Sequence, residues 1–219
     1  MASDGWQWWS QSDAGLLARI GIGAAIFAAF LIADLMKKGR QSQRPREYLF
    51  ALVAVAAAMA YGVINDQITV TISPEYFTWG KGVRGEAGSA GLRWQAVLLG
   101  LKATWTVGLL IGVALLLANN PMKTRPQLPY GRLYRLLPAI LATAAACGAL
   151  GGALGYGGWL SFLAADVARD DSFAFLHPRR FVCAWGIHSG GYIGGLIATA
   201  GAVVSILRQR KKFGSASHS

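Results

Sequence analysis

Apolar residues along this chain come in long runs separated by short polar clusters. Five runs, at about residues 14–36, 48–64, 94–118, 136–162 and 182–207, approach or exceed the roughly 20 residues a helix needs to cross a bilayer. None shows the ten-residue alternation of a barrel strand, and lipid admits only helices or closed barrels. The pattern predicts an all-α polytopic membrane protein: one integral membrane domain over residues 1–219 with five transmembrane helices.

One stretch breaks the pattern. Asp66-Gln67-Ile68-Thr69-Val70-Thr71-Ile72-Ser73 alternates polar and apolar residues and is rich in β-branched side chains. It predicts a short strand or extended segment, with Pro74 stopping any helix. A glycine-rich loop follows from Gly80 to Gly91, so residues 65–93 are expected to form one outer-face loop.

Small residues recur at a spacing of four, as in Gly148 with Gly152, Gly151 with Gly155, Gly186 with Gly190 and Gly108 with Gly112. Such faces let helices approach closely; the functional alternative is a glycine-lined cavity. No glycine-lysine phosphate loop is present. An offset of 86 pairs Ala56, Ala58, Ala60 and Gly62 with Ala142, Ala144, Ala146 and Gly148, then Arg93 with Arg179 and Gly100 with Gly186. This points to a tandem parallel repeat of two helical hairpins, residues 46–117 and 132–203.

Composition supports the membrane assignment. Hydrophobic residues make up 54% and charged residues 14%, against about 25% charged in soluble domains. A soluble enzyme, a disordered tail and a disulfide-stapled module are excluded. The net charge of +11 is clustered between apolar runs rather than spread over a phosphate-binding face, so no nucleic-acid partner is expected. Lys37, Lys38, Arg40, Arg44 and Arg46 follow the first run. Lys123, Arg125, Arg132 and Arg135 lie between the third and fourth, and Arg208, Arg210, Lys211 and Lys212 open a basic tail over residues 208–219. With five spans all three clusters share one side. By the positive-inside rule that side is the cytoplasm, which places the N-terminus outside and the C-terminus inside a bacterial inner (plasma) membrane. Arg84, Arg93, Arg179 and Arg180 run against that bias. Trp6, Trp8 and Trp9 suit an aromatic belt, and the first run reads as a reverse signal anchor. Cys147 and Cys183 fall at different depths, which argues against a disulfide between them.

Ionisable groups within spans are functional candidates. Asp66 ends the second span beside Gln67, Lys102 lies about two turns into the third, and His188 lies at similar depth in the fifth. Opposite-running spans bring these three to one leaflet. Lys102 can instead snorkel or pair with Asp66, and His188 can donate to a neighbouring carbonyl. Arg19 reads as a snorkelling residue. Asp34 stands at helical spacing from Lys37 and Lys38, as in a surface ion pair. Glu75 and Tyr76 follow Pro74, and Tyr192 follows His188 in a glycine-rich span. The binding candidates are therefore Asp66, Gln67, Glu75, Tyr76, Lys102, His188 and Tyr192. No cofactor and no metal site is expected: His177, His188 and Glu75 have no diagnostic ligand spacing, and His218 lies in the tail.

Asp66-Gln67-Ile68-Thr69, followed by Pro74-Glu75-Tyr76-Phe77-Thr78, resembles a motif in a family of small, uncharacterised bacterial multi-span membrane proteins. The likeness extends to the glycine-rich span from His188 to Gly195. It implies a multi-span membrane protein and no particular activity. Relatives often carry histidine-proline after the threonine; Trp79-Gly80-Lys81 stands there in this chain, which weakens a metal role for the segment.

Three function classes remain open. The leading one is an outward-facing intramembrane polar site that binds or transports a small ion or lipid headgroup. An accessory or structural subunit of a larger membrane complex is the second, with other membrane subunits or a second copy as partners beside the lipid bilayer. An intramembrane enzyme acting on a lipid-linked substrate is the third, and lacks any catalogue catalytic motif.

Overall fold

The computed structural model describes residues 13–122, 125–162 and 177–216. Trp6, Trp8, Trp9, Lys123, the 163–176 part of the fourth-to-fifth connection and His218 lie outside the described residues. The long elements are α1 (Asp13–Lys38), α2 (Arg44–Ile72), α3 (Ala90–Ala118), α4 (Tyr130–Tyr156) and α5 (Pro178–Ala216). No strand occurs among the described residues. Four helices, α2 to α5, are long and apolar enough to cross a membrane, as in a multi-pass membrane protein.

The chain divides into two compact units, Met1–Leu49 and Phe50–Ser219. In the first, Asp34 closes the end of α1: it pairs with Lys38 at 3.1 Å and accepts from Ser42 at 2.6 Å. Phe27 meets Tyr48 edge-on at 5.2 Å.

In the second unit the sequence spacing becomes packing. The buried stripe of α2 is Phe50, Ala54, Ala58, Gly62, Asp66, Thr69 and Val70. That of α3 steps by four from Leu92 through Ala96, Gly100, Thr104 and Gly108 to Gly112. The two helices run antiparallel with small residues interleaved. A methyl group on Gly62 would strike Thr104, and one on Gly100 would strike the Gly62 carbonyl. Helices α4 and α5 pair in the same way, with Gly151 against Gly186 and Gly148 against Gly190. Backbones this close give dispersion and Cα–H contacts that larger side chains would prevent.

The expected extended segment after Asp66 is helical instead. Helix α2 continues to Ile72. Thr69 and Thr71 donate to the carbonyls of Asn65 and Gln67 at 2.9 and 2.8 Å, the i−4 bond that seats threonine in a helix. Burial of Thr69 and Val70 on the bundle face outweighs β-propensity, which is a weak preference. The chain breaks at Ser73, ahead of Pro74. A π-turn follows at Tyr76–Gly80, and Gly82 and Gly88 take the left-handed backbone of the next loop.

Two buried clusters of large side chains close the ends of the bundle. One apolar cluster contains Phe50, Leu115, Leu133, Leu137, Ile140 and Ile206. The other contains Val70, Tyr76, Phe77, Leu92 and Phe181. Between them the close helix contacts are made by alanine, glycine and threonine, and space is left open beside them.

Candidate functional site

That space is a cavity of about 540 Å³ lined by α2, α3, α4, α5 and Lys81. Its walls are mostly apolar along α3 and α4, from Leu99 through Val107 and Ile111 to Ala114, and at Ile140 and Ala144. Polar groups gather at one end: Tyr61, Asn65, Asp66, Lys81, His188 and Tyr192.

Each is placed by local sequence. Asp66 falls four residues after Gly62 on the buried stripe of α2 and is 4% exposed. His188 falls between Gly186 and Gly190, where the close α4–α5 contact turns the opposite side of α5 toward α2. The His188 ring is held on every side. Nδ1 lies 3.4 Å from the Asn65 amide nitrogen, and Nε2 lies 3.1 Å from Thr69 Oγ1. Tyr76 stacks on the ring at 4.9 Å and Phe77 meets it edge-on at 6.3 Å. Thr69 spends its proton on the Asn65 carbonyl, so its oxygen accepts from His188. This assigns a neutral ring with the proton on Nε2, and Nδ1 accepting from Asn65.

Asp66 Oδ1 lies 3.7 Å from the same Nε2, beyond hydrogen-bond reach. A hydroxyl–histidine–carboxylate relay needs the acid on the opposite ring nitrogen. Here Thr69 and Asp66 share one nitrogen, and the arrangement is not a nucleophile triad. Asp66 remains a buried carboxylate on the cavity wall, with the Asn65 side chain as its neighbouring donor.

Burial pushes the Tyr76 phenol above its usual range, so it stays a neutral hydroxyl beneath His188. Lys81 Nζ sits 5.4 Å from the centre of the Tyr76 ring, and Lys81 lines the cavity.

Asp66, His188 and Tyr192 meet at the cavity, and Tyr76 supports it from behind. Gln67 turns away: it donates to the Arg93 carbonyl at 2.9 Å and accepts from the Arg93 guanidinium at 3.4 Å, tying α2 to α3. Glu75 faces His177, Oε1 to Nδ1 at 3.4 Å, while its Oε2 is buried with no hydrogen-bond partner among the described residues. Lys102 is exposed on α3 and does not line the cavity. Equal depth in the span therefore did not bring it to Asp66, because it projects from another face of the helix. Among the described residues no group of three His, Cys, Asp or Glu side chains could hold a metal. Cys147 and Cys183 are free thiols.

Sequence reasoning alone does not select Tyr61, Thr69 or Lys81. Thr69 carries a legible signal, since Gly62, Asp66, Thr69 and Ser73 repeat at spacings of four, three and four. Lys81, in a glycine-rich loop, carries none.

No family model matches this chain, and neither a curated protein nor a solved structure does.

Proposed function

We propose that this chain is a five-span inner-membrane protein, with α1 as its first span, whose outward-facing intramembrane site binds a small ion or, better, a lipid headgroup. The observation that carries the reading is the apolar-walled cavity with Asp66, His188, Tyr61, Tyr192, Asn65 and Lys81 at one end. Apolar pockets with a few convergent polar groups are typical small-molecule sites. Mostly hydrocarbon walls favour an amphiphile over a bare ion. Arg210 caps the far end of the bundle, which favours binding over passage through it.

The orientation rests on two belts. Trp79, Trp94, Trp159 and Trp185 are exposed at the end that carries the polar site, as at a membrane surface. The basic connection and tail gather at the other end. The tandem repeat gains support from the packing, since Gly62 against Thr104 and Gly148 against Gly190 are related by the sequence offset of 86.

The test is a thermal-shift screen of the full chain in lipid nanodiscs against ions, metals, lipids and headgroup compounds. A ligand that stabilises the wild type, but neither Asp66→Asn nor His188→Ala, supports the site. If no ligand shifts the wild type, the site is structural and the accessory-subunit reading takes its place.

A further inference from the structure

Resting on that binding reading, we infer that the cavity holds a single-chain lipid with an uncharged, hydroxyl-bearing head, such as a long-chain alcohol or monoacylglycerol.

Size and shape fix the tail. At about 30 Å³ per water-sized group, the 540 Å³ cavity takes roughly 18 such groups: one chain and a small head, not a two-chain phospholipid. Its lining runs along α3 from Leu99 to Ala114, about 22 Å at 1.5 Å per residue. That exceeds the roughly 15 Å of one leaflet's hydrocarbon. Leu110 and Leu196 line the cavity and are also 69% and 73% exposed. Within the Phe50–Ser219 unit the lumen thus has an apolar rim between α3 and α5, a route by which a chain can enter from the bilayer.

Chemistry fixes the head. Both nitrogens of His188 are occupied by Asn65 and Thr69, so His188 is a wall and not a free ligand. Asp66 is a buried acceptor on the cavity lining whose neighbouring donor is the Asn65 side chain; a carboxylate's two oxygens can accept further hydrogen bonds. Lys81 and the hydroxyls of Tyr61 and Tyr192 are donors on the same lining. The carboxylate and the ammonium offset each other formally, so a charged head would add a net charge in an apolar space. An acceptor-only head, such as a quinone carbonyl, brings Asp66 no further donor. A hydroxyl both donates and accepts, and meets both sides of the site.

The test uses the full chain in phosphatidylcholine nanodiscs. Four photoreactive probes of equal chain length are compared: an alcohol, a monoacylglycerol, a fatty acid and a quaternary alkylammonium. The alcohol and the monoacylglycerol are expected to label α2 and α5 saturably, with monoolein competing. The two charged probes are expected to bind about tenfold more weakly or worse. Asp66→Leu should weaken the alcohol about tenfold, the worth of one net hydrogen bond. Gly195→Leu should abolish labelling by every probe. It adds bulk to the cavity wall at a position where an added Cβ meets only the Ala144 methyl, at 3.8 Å. Charged probes that bind as well as the alcohol, and are lost in Gly195→Leu, overturn the head assignment but keep the binding site. Labelling that no probe saturates, and that Gly195→Leu leaves unchanged, overturns both.

Discussion

At one end of the bundle Arg210 is 1% exposed, and at the other Asp66 is 4% exposed. They lie in similarly apolar surroundings and are treated oppositely. The Arg210 guanidinium donates to four backbone carbonyls: Pro126 at 3.0 Å, Ala118 and Asn120 at 2.5 Å each, and Arg125 at 2.8 Å. Next to it the Asn119 side chain donates to the Leu128 carbonyl and accepts from the Leu128 amide, at 3.0 and 2.8 Å. These bonds fasten the α3–α4 connection to α5. Asp66 has the Asn65 side chain, a more distant imidazole and an open cavity. A fully satisfied buried charge is a fastening; an incompletely satisfied one beside empty space has the form of a binding site. The difference between the ends lies in how many partners each charge finds, not in how deeply each is buried.

The comparison can be broken most sharply at Arg210. Arg210→Ala leaves the Pro126, Ala118 and Asn120 carbonyls without their Arg210 donor, while the Arg125 carbonyl keeps the Met122 amide; at about 1 kcal/mol each, a loss of about 3 kcal/mol is expected in thermal or denaturant melts. Arg210→Lys should recover only part of it, because a point charge cannot fork over four acceptors. A melt of Arg210→Ala that superimposes on the wild type would remove the fastening from this account.

Between the ends, Gly190→Ala drives a methyl into the Cys147 carbonyl and should cost about 1–3 kcal/mol by forcing α4 and α5 apart. Gly195→Ala, one turn further along, should be near neutral. Equal melting temperatures for the two variants would contradict the packing described for this hairpin. Asn119→Ala removes two buried hydrogen bonds and should cost about 1–2 kcal/mol. Limited proteolysis would then show faster cleavage in the 119–129 connection.

At the open end the expected stability effect is small. Asp66→Asn, which keeps the shape and removes the charge, should change stability by less than about 1 kcal/mol and can raise it. A loss as large as that of Arg210→Ala would make Asp66 a structural residue and erase the contrast. The smallest effect belongs to Lys102→Met, exposed on α3, at about 0.5 kcal/mol or less with ligand binding unchanged.

Much of this was legible before any folding. The apolar runs foretold the long helices, and glycine and alanine at spacings of four marked the faces on which the helices meet. Asp66, His188 and Tyr192 stood out as costly residues in apolar surroundings, and they share one cavity. Other readings depended on information that local sequence does not carry. The β-branched run after Asp66 read as a strand because alternation has no knowledge of the bundle face that buries Thr69 and Val70. Lys102 was placed by depth, but depth says nothing of azimuth around a helix. Arg210 read as one more charge in a basic tail, because its partners are backbone carbonyls about 90 residues earlier in the chain.

The sequence by itself determined that this is a helical protein with helices of membrane-spanning length, and where those helices are thin enough to touch. Hydrophobic run length and residue size are local properties, and each helix satisfies its own backbone. Only the tertiary structure decided which small residues close a helix pair and which are left facing a void. It also decided which of two buried charges is enclosed by acceptors and which faces the cavity. Those outcomes depend on the rotation of each helix about its axis, which is settled by all the neighbours packing at once.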